Sequence, residues 1–337
     1  MSALAKDLLV WFEKNGRKTL PWQSNPGNIY HIWLSEVMLQ QTQVATVIDY
    51  FRAFIKRFPT LDDLARADID DVLAQWAGLG YYSRARNLHK SANIIFSDFG
   101  GKFPLDFDSV IGLPGIGQST AGAILSLGAK QRHPILDGNV KRVLCRYQQI
   151  GGHYNNATTL KTLWREADYH TPTQACPEYT QAIMDLGAAV CTRSNPKCGA
   201  CPINKHCQAN LCQTQDLYPH KKPKKLKPTK STAMLIFRNE KGGVYLNKRP
   251  DKGIWGGLWS LVECADNSQA ITKAIKSHST MAKVERLLPQ FKHSFSHYHL
   301  LITPVLVSSP DLRRGYQSPS MHGKGVPTPV QKILLQL

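Results

Sequence analysis

Four of the eight cysteines in this 337-residue chain fall in one short run, Cys191, Cys198, Cys201 and Cys207, spaced C-x6-C-x2-C-x5-C. Hydrophobic burial does not ask for such spacing, so a backbone that brings four thiols together within so few residues is built around a centre. The N-terminus, "MSALAKDLLVWFEKNGRK", carries acids and no small-residue cleavage site, and no run of about 18 apolar residues occurs, so neither signal peptide nor membrane span is expected. A cytoplasmic, reduced chain follows as the expectation, and there such a run binds metal rather than forming disulfides. Structural zinc and an iron–sulfur cluster both use four thiolates, and the spacing leaves both open. Arg193, Lys197 and Lys205 lie among the ligands and bring positive charge to the same loops. Cys145, Cys176, Cys212 and Cys264 have no partner spacing and read as ordinary thiols.

The run closes a long helical region. Apolar periodicity predicts helices over 4–15, 29–58, 61–77, 83–98, 106–112, 118–129, 138–148, 158–170 and 177–190, with Ser83 and Asp137 as caps for exposed backbone N–H groups. Composition then changes: "YPHKKPKKLKPTK", 218–230, is rich in Lys and Pro and suits an extended connector. Beyond it "TAMLIFRNE", "GGVYLNKR" and "HLLITPVLV" read as strands around a helix at 268–277. Two domains are therefore expected, residues 1–216 and 232–337, with 217–231 as a basic linker. A formal charge of +18 favours a polyanionic partner such as nucleic acid.

Two stretches depart from packing logic. In "SEVMLQQTQ", 35–43, a carboxylate, Glu36, sits among Leu34, Val37 and Met38, and a turn of amides and a hydroxyl, Gln40 to Gln43, stands where apolar residues would continue the pattern. Desolvation there disfavours the anion and holds Glu36 as an acid near neutral pH. Asp137 opens "DGNVKRVL" at a helix N-terminus beside Asn139, Lys141 and Arg142, where the dipole and nearby cations are expected to keep it ionised. One acid and one anion are what glycoside cleavage requires. In "LPGIGQSTAGAI", 113–124, Gly115 and Gly117 make a tight turn that lets backbone N–H groups approach a phosphate at the next helix N-terminus.

Helix, "LPGIG" hairpin, "LDGNVKRVL" and the cysteine run together resemble the helix-hairpin-helix DNA glycosylase superfamily. More narrowly, "RKTLPW", "WLSEVMLQQTQVATVI", "GLGYYSRARNLHK", "GQSTAGAILSL", "PILDGNVKRVL" and "MDLGAAVCTRS" resemble the MutY-type adenine DNA glycosylases over most of the first 212 residues. The resemblance implies a mainly α helix-hairpin-helix glycosylase fold of two helical subdomains with a 4Fe-4S loop held by Cys191, Cys198, Cys201 and Cys207. It also implies removal of adenine opposite 8-oxoguanine or guanine in double-stranded DNA, by a monomer acting at the nucleoid. Glu36 is implied to protonate adenine and Asp137 to stabilise the oxocarbenium-like sugar. Flipping a base costs a few kcal/mol that inserted side chains offset, a task that falls to Gln40, Gln41 and Thr42 and to Tyr81. Leu113, Gly115 and Gly117 are implied to contact the backbone, and Arg17 and Asn139 to line the site. Bifunctional relatives carry a lysine where this chain has Ser119, and the nearest lysine, Lys130, is a full helix away, so base removal without strong lyase activity is expected.

The second domain resembles the C-terminal α+β domain of the same family, related to Nudix hydrolases. The acid-rich magnesium helix of a working Nudix enzyme is missing, since "CADNSQAITKAIK" lacks the paired Arg-Glu and Glu-Glu. A reader rather than a hydrolase is implied, with "KHSFSHYHL", 292–300, recognising 8-oxoguanine through Phe295, Ser296 and His297. Alternate histidines 293, 297 and 299 also fit a half-exposed strand face. "VPTPVQKILLQL" looks like the family's closing helix, and the residues before it, 308–325, diverge.

Overall fold

The computed structural model describes residues 1–154, 156–220, 226–310, 316–317 and 323–337. The chain divides into two compact units, Met1–Arg66 with Asn87–Pro223, and Ala67–Arg86 with Lys224–Leu337. Among the described residues no helix is long and apolar enough to cross a membrane.

The first unit is helical: α1 (Ala3–Asn15), α2 (Ile29–Leu39), α3 (Val44–Arg57) and α4 (Leu61–Arg66), then α6 (Ser83–Asp98, from Asn87 onward), α7 (Phe107–Gly112), α8 (Gln118–Ala129), α9 (Gly138–Tyr147), α10 (Ala157–His170), α11 (Cys176–Ala189) and the short α12 (Gln208–Leu211). One core joins Leu4, Leu8 and Phe12 of α1 to Val140, Val143 and Leu144 of α9, Leu163 of α10 and Tyr179, Ile183 and Leu186 of α11. These recur every three or four positions, so each helix turns one face inward. Cys191, Cys201 and Cys207 pack against this core, which ties the metal-binding loops to the most buried part of the unit.

Two helices expected to be continuous are broken. The 29–58 stretch splits into α2 and α3 because Gln40 leaves helical geometry and Gln41 takes a left-handed φ of 57°. Amide side chains compete with the backbone ladder, and nothing apolar in 40–43 demands burial on either side. The 61–77 stretch splits into α4 and α5 (Ile69–Gln75) because the Asp68 carboxylate accepts from Asp70 N and starts a new helix. Ser83 is the first residue of α6 rather than the residue before it.

In the second unit a sheet runs in the order β6-β8-β1-β2-β9. Its strands are β1 (Thr229–Arg238), β2 (Val244–Tyr245), β5 (Val262–Cys264), β6 (Lys283–Leu287), β7 (Phe291–Ser294), β8 (His299–Ser308) and β9 (Tyr316–Gln317), and β3 (Asn247–Lys248) pairs separately with β4 (Trp259–Ser260). β1 and β8 pair in parallel from Thr229↔His299 to Arg238↔Ser308, and β5 and β7 flank them antiparallel. A parallel pair needs a crossover, and α13 (Ser268–His278) lies within it, laying Ile275 on Leu235, Phe237, Val305 and Val307. The helix expected at 268–277 is thus present, and β1 begins inside the stretch read as linker. α14 (Thr328–Leu334) closes the chain with Val330 and Ile333 buried. The divergent 308–325 stretch lies largely outside the described residues.

Candidate active site

α2 is apolar almost all round, with Tyr30, Ile32, Trp33, Leu34, Val37 and Met38 buried. Its one carboxylate, Glu36, faces a cavity of about 580 Å³, which Asp137, Asn139, Ser119, Arg17, Gln40 and Thr42 also line. Six of the residues singled out in the sequence therefore meet Glu36 in one place. Gln41 does not line it and stands exposed at the loop apex. Further lining residues that sequence reasoning missed include Leu20, Trp22, Gln181 and Met184. Trp22 and Met184 look like core residues, and a lone glutamine on a helix carries no spacing signal.

The two carboxyls are not equivalent. Burial, and then the charge of Asp137, push Glu36 from its usual 4.5 up to about 7. Asp137 is the N-cap of α9: Oδ1 accepts from Val140 N at 2.8 Å and Oδ2 from Asn139 Nδ2 at 3.1 Å. The expectation that dipole and cations settle its state needs correction, because burial is the largest influence and moves Asp137 upward against those hydrogen bonds and Arg142. Donors still decide the order within the pair. Asp137 has backbone and side-chain N–H groups to stabilise its anion, whereas burial and a like charge both push Glu36 toward its acid form.

Asn139 is held in turn. Arg142 Nη2 donates to Asn139 Oδ1 at 2.9 Å and to Gly187 O at 2.6 Å, and Arg142 Nε donates to Cys191 O at 2.7 Å. One turn further along α9, Arg146 Nη1 donates to Thr192 O at 2.7 Å and lies 3.3 Å from Cys191 Sγ. Cys191, Cys198, Cys201 and Cys207 line one recess with Arg146, Val143 and Ile203. Burial raises the thiols of Cys198, Cys201 and Cys207, Cys201 to about 12, and neighbouring thiolates add to it. Such a set exists as anions only around positive metal. Among the described residues no three His, Cys, Asp or Glu converge on a single ion, whereas a four-iron cluster offers each thiolate its own iron. The donors fit that group, and Arg193, Lys197 and Lys205 are exposed beside it.

The hairpin joins α7 to α8. Gly115 takes φ +81°, and an added Cβ there would lie 2.9 Å from Asn87 Cβ. Ser91 Oγ donates to Pro114 O at 3.0 Å, which fixes the hairpin to α6. Gly117 is exposed and precedes the free N–H groups that open α8. The Leu113 side chain is buried beneath the turn, so it supports the hairpin from within and leaves the turn's backbone to face outward. Ser119 Oγ accepts from Leu136 N at 2.9 Å and so steadies the backbone that leads into Asp137. Among the described residues no lysine lines the cavity, and Lys130 caps the far end of α8.

In the second unit, Tyr81, Phe295, Ser296 and His297 line a separate cavity of about 340 Å³. Tyr81 is 48% exposed with a left-handed φ of 48°, whereas Tyr82 is buried and its hydroxyl accepts from Gly78 N, making it the core tyrosine. The Phe295 ring packs at a tilt, its centroid 5.2 Å from that of Trp255 and 4.7 Å from that of Tyr298. His297 Nδ1 pairs with Ser296 Oγ and His299 Nδ1 with Ser294 Oγ, so these histidines serve the turn and the strand.

The helix-hairpin-helix superfamily of base excision DNA repair proteins matches residues 34–167, the iron–sulfur binding domain of endonuclease III residues 191–207, and a NUDIX domain residues 232–336. A thermostable thymine-DNA glycosylase shares the helical fold at TM-score 0.56 and 26% identity, covering 62% of this chain and 95% of that one. An endonuclease III bound to DNA shares the fold at TM-score 0.53 and 19% identity, covering 63% and 95%. The adenine DNA glycosylase of Buchnera aphidicola from Acyrthosiphon pisum is 40% identical over 97% of this chain and 95% of its own. The human adenine DNA glycosylase is 31% identical over 99% of this chain and 73% of its own. With a carboxyl pair in one cavity, a glycine hairpin, a four-thiol recess for a 4Fe-4S cluster and these relatives, the chain belongs to the adenine DNA glycosylase family, enzymes of base excision repair.

Proposed function

We propose that this enzyme excises adenine paired with 8-oxoguanine or guanine, acting as a monomer, with Glu36 as general acid and Asp137 as the anion beside the sugar. The observation that carries this reading is the carboxyl pair in a cavity large enough for a purine, with burial pushing Glu36 toward its acid form and hydrogen-bond donors gathered around Asp137. Glu36 transfers its proton to a ring nitrogen of the extruded adenine. The C1′–N9 electron pair leaves with the base, and the cation left on the sugar lies against the Asp137 carboxylate until water adds. Asn139 and Arg142 keep that carboxylate aimed. Gln40 and Thr42 line the cavity mouth, Gln41 stands outside it, and the amides of this loop replace the hydrogen bonds that the extruded base gives up.

Gly115 and Gly117 present the hairpin backbone to phosphate. Residues 1–216 act as the catalytic domain, 217–231 as the linker and 232–337 as the reader. Tyr81 stacks beside the opposite base, and Phe295, Ser296 and His297 recognise 8-oxoguanine, whose N7–H is a donor where guanine has an acceptor. Cys191, Cys198, Cys201 and Cys207 hold the 4Fe-4S cluster, which when bound cross-links its loops and takes no part in the proton transfers.

The test is a duplex with one adenine opposite 8-oxoguanine, guanine or thymine, scored for abasic sites before and after alkali. Excision in the order 8-oxoguanine, guanine, thymine, with strand breaks only after alkali, is expected. Breaks without alkali, or equal rates for the three, would overturn the reading.

A further inference from the structure

Asp185 of α11 is 1% exposed, and the mechanism above gives it no role. Its carboxylate accepts four N–H groups: Arg17 N at 2.8 Å, Arg17 Nε at 2.9 Å, Arg17 Nη2 at 2.6 Å and Gln181 Nε2 at 2.8 Å. A buried structural ion pair would account for the arginine. It does not account for the amide.

A carboxylate only accepts, so Gln181 must turn its nitrogen toward Asp185. The other end of the amide is set independently. Leu20 N donates to Gln23 Oε1 at 3.0 Å and Gln23 Nε2 donates to Arg17 O at 3.0 Å, so neither end of Gln23 can be exchanged. Gln23 Nε2 then donates to Gln181 Oε1 at 3.2 Å. A flipped Gln181 would set oxygen against carboxylate and N–H against N–H. Gln181 lines the same cavity as Glu36 and Asp137, as do Arg17, Leu20 and Trp22 of the loop that Asp185 holds.

We propose that Asp185 is a specificity-positioning residue: with Gln23 it locks the Gln181 amide in one donor–acceptor order, so that the cavity accepts a 6-aminopurine and refuses a 6-oxopurine. A glutamine amide pairs with adenine through the 6-amino donor and an adjacent ring acceptor. Hypoxanthine carries an acceptor at position 6, and only an amide free to flip could meet it. Rejection therefore depends on the lock, since an unmatched buried polar group is what separates two such similar bases. This rests on the reading of the cavity as the place of the extruded base.

Single-turnover excision of adenine, hypoxanthine and unsubstituted purine, each opposite the same base, tests it in the wild type, Asp185→Ala and Gln23→Met. Purine carries neither group at position 6 and reports general damage to the pocket. The adenine-to-hypoxanthine rate ratio is expected to fall at least tenfold in Asp185→Ala beyond any loss seen with purine, and in the same direction in Gln23→Met. A parallel loss on all three substrates with the ratio unchanged overturns the inference while wild-type adenine excision leaves the catalytic reading standing. If Asp185→Ala does not fold, the ratio in Gln23→Met decides by the same criterion.

Discussion

Replacing Glu36 with glutamine should abolish excision and at the same time stabilise the protein at alkaline pH. In the folded enzyme Glu36 holds its proton up to about 7, whereas the ordinary value is 4.5. A raised carboxyl pKa contributes stability at low pH and loses it as pH rises through the folded value, because the unfolded chain ionises first. The difference between the two states corresponds to a penalty of about 3 kcal/mol above pH 8, of which about 2 kcal/mol accrues between pH 5 and pH 8. Side-chain surface open to the cavity screens part of this, so ~1–2 kcal/mol of pH-dependent gain is the working figure. Glutamine keeps the shape and cannot ionise. Wild type and Glu36→Gln should therefore melt at similar temperatures at pH 5, and the variant should melt several degrees higher at pH 8. Binding to a duplex with adenine opposite 8-oxoguanine should survive while single-turnover excision is lost. A melting gap that is constant or narrows with pH would refute the burial argument, and substantial residual excision would refute the role of the acid.

Further outcomes follow from the same geometry. Wild-type single-turnover excision should fall about tenfold per pH unit well above 7, since the acid form of Glu36 is then being lost. Asn139→Ala removes a donor from Asp137, so the acidic limb of the same profile should move to higher pH; a limb that stays in place would deny that donor a role. Gly115→Ala strains a left-handed residue against Asn87 and should weaken duplex binding about tenfold, a cost of ~1–2 kcal/mol, while the rate at saturating DNA changes little. Cys198→Ser should bleach the visible absorption of the purified protein, and by loosening the loop that Arg142 grips at Cys191 O should reduce excision as well.

The motif-bearing residues were legible because each rests on local chemistry. A carboxylate within an apolar turn, an aspartate before a helix, paired glycines between helices and four closely spaced thiols declare themselves within a few positions, and all keep the expected elements around them. The breaks at Gln40–Gln43 and Asp68 were harder to see, since apolar periodicity runs through both and only the competition between side-chain polar groups and the helix ladder interrupts it. The burial of Leu113 beneath the hairpin was not legible either, since it depends on what lies under the turn.

Sequence alone determined the family and the thiol run and picked out two candidate carboxyls, since bond-forming groups and their spacing are carried by residue type. Tertiary structure decided the surroundings of each carboxyl, because burial raises both groups while hydrogen-bond donors gather only around Asp137. It also decided the far wall of the cavity, where Arg17 meets Asp185, and Gln23 meets Gln181, across most of the first unit's chain; desolvation and hydrogen-bond polarity are set by neighbours in space, and no local pattern encodes them.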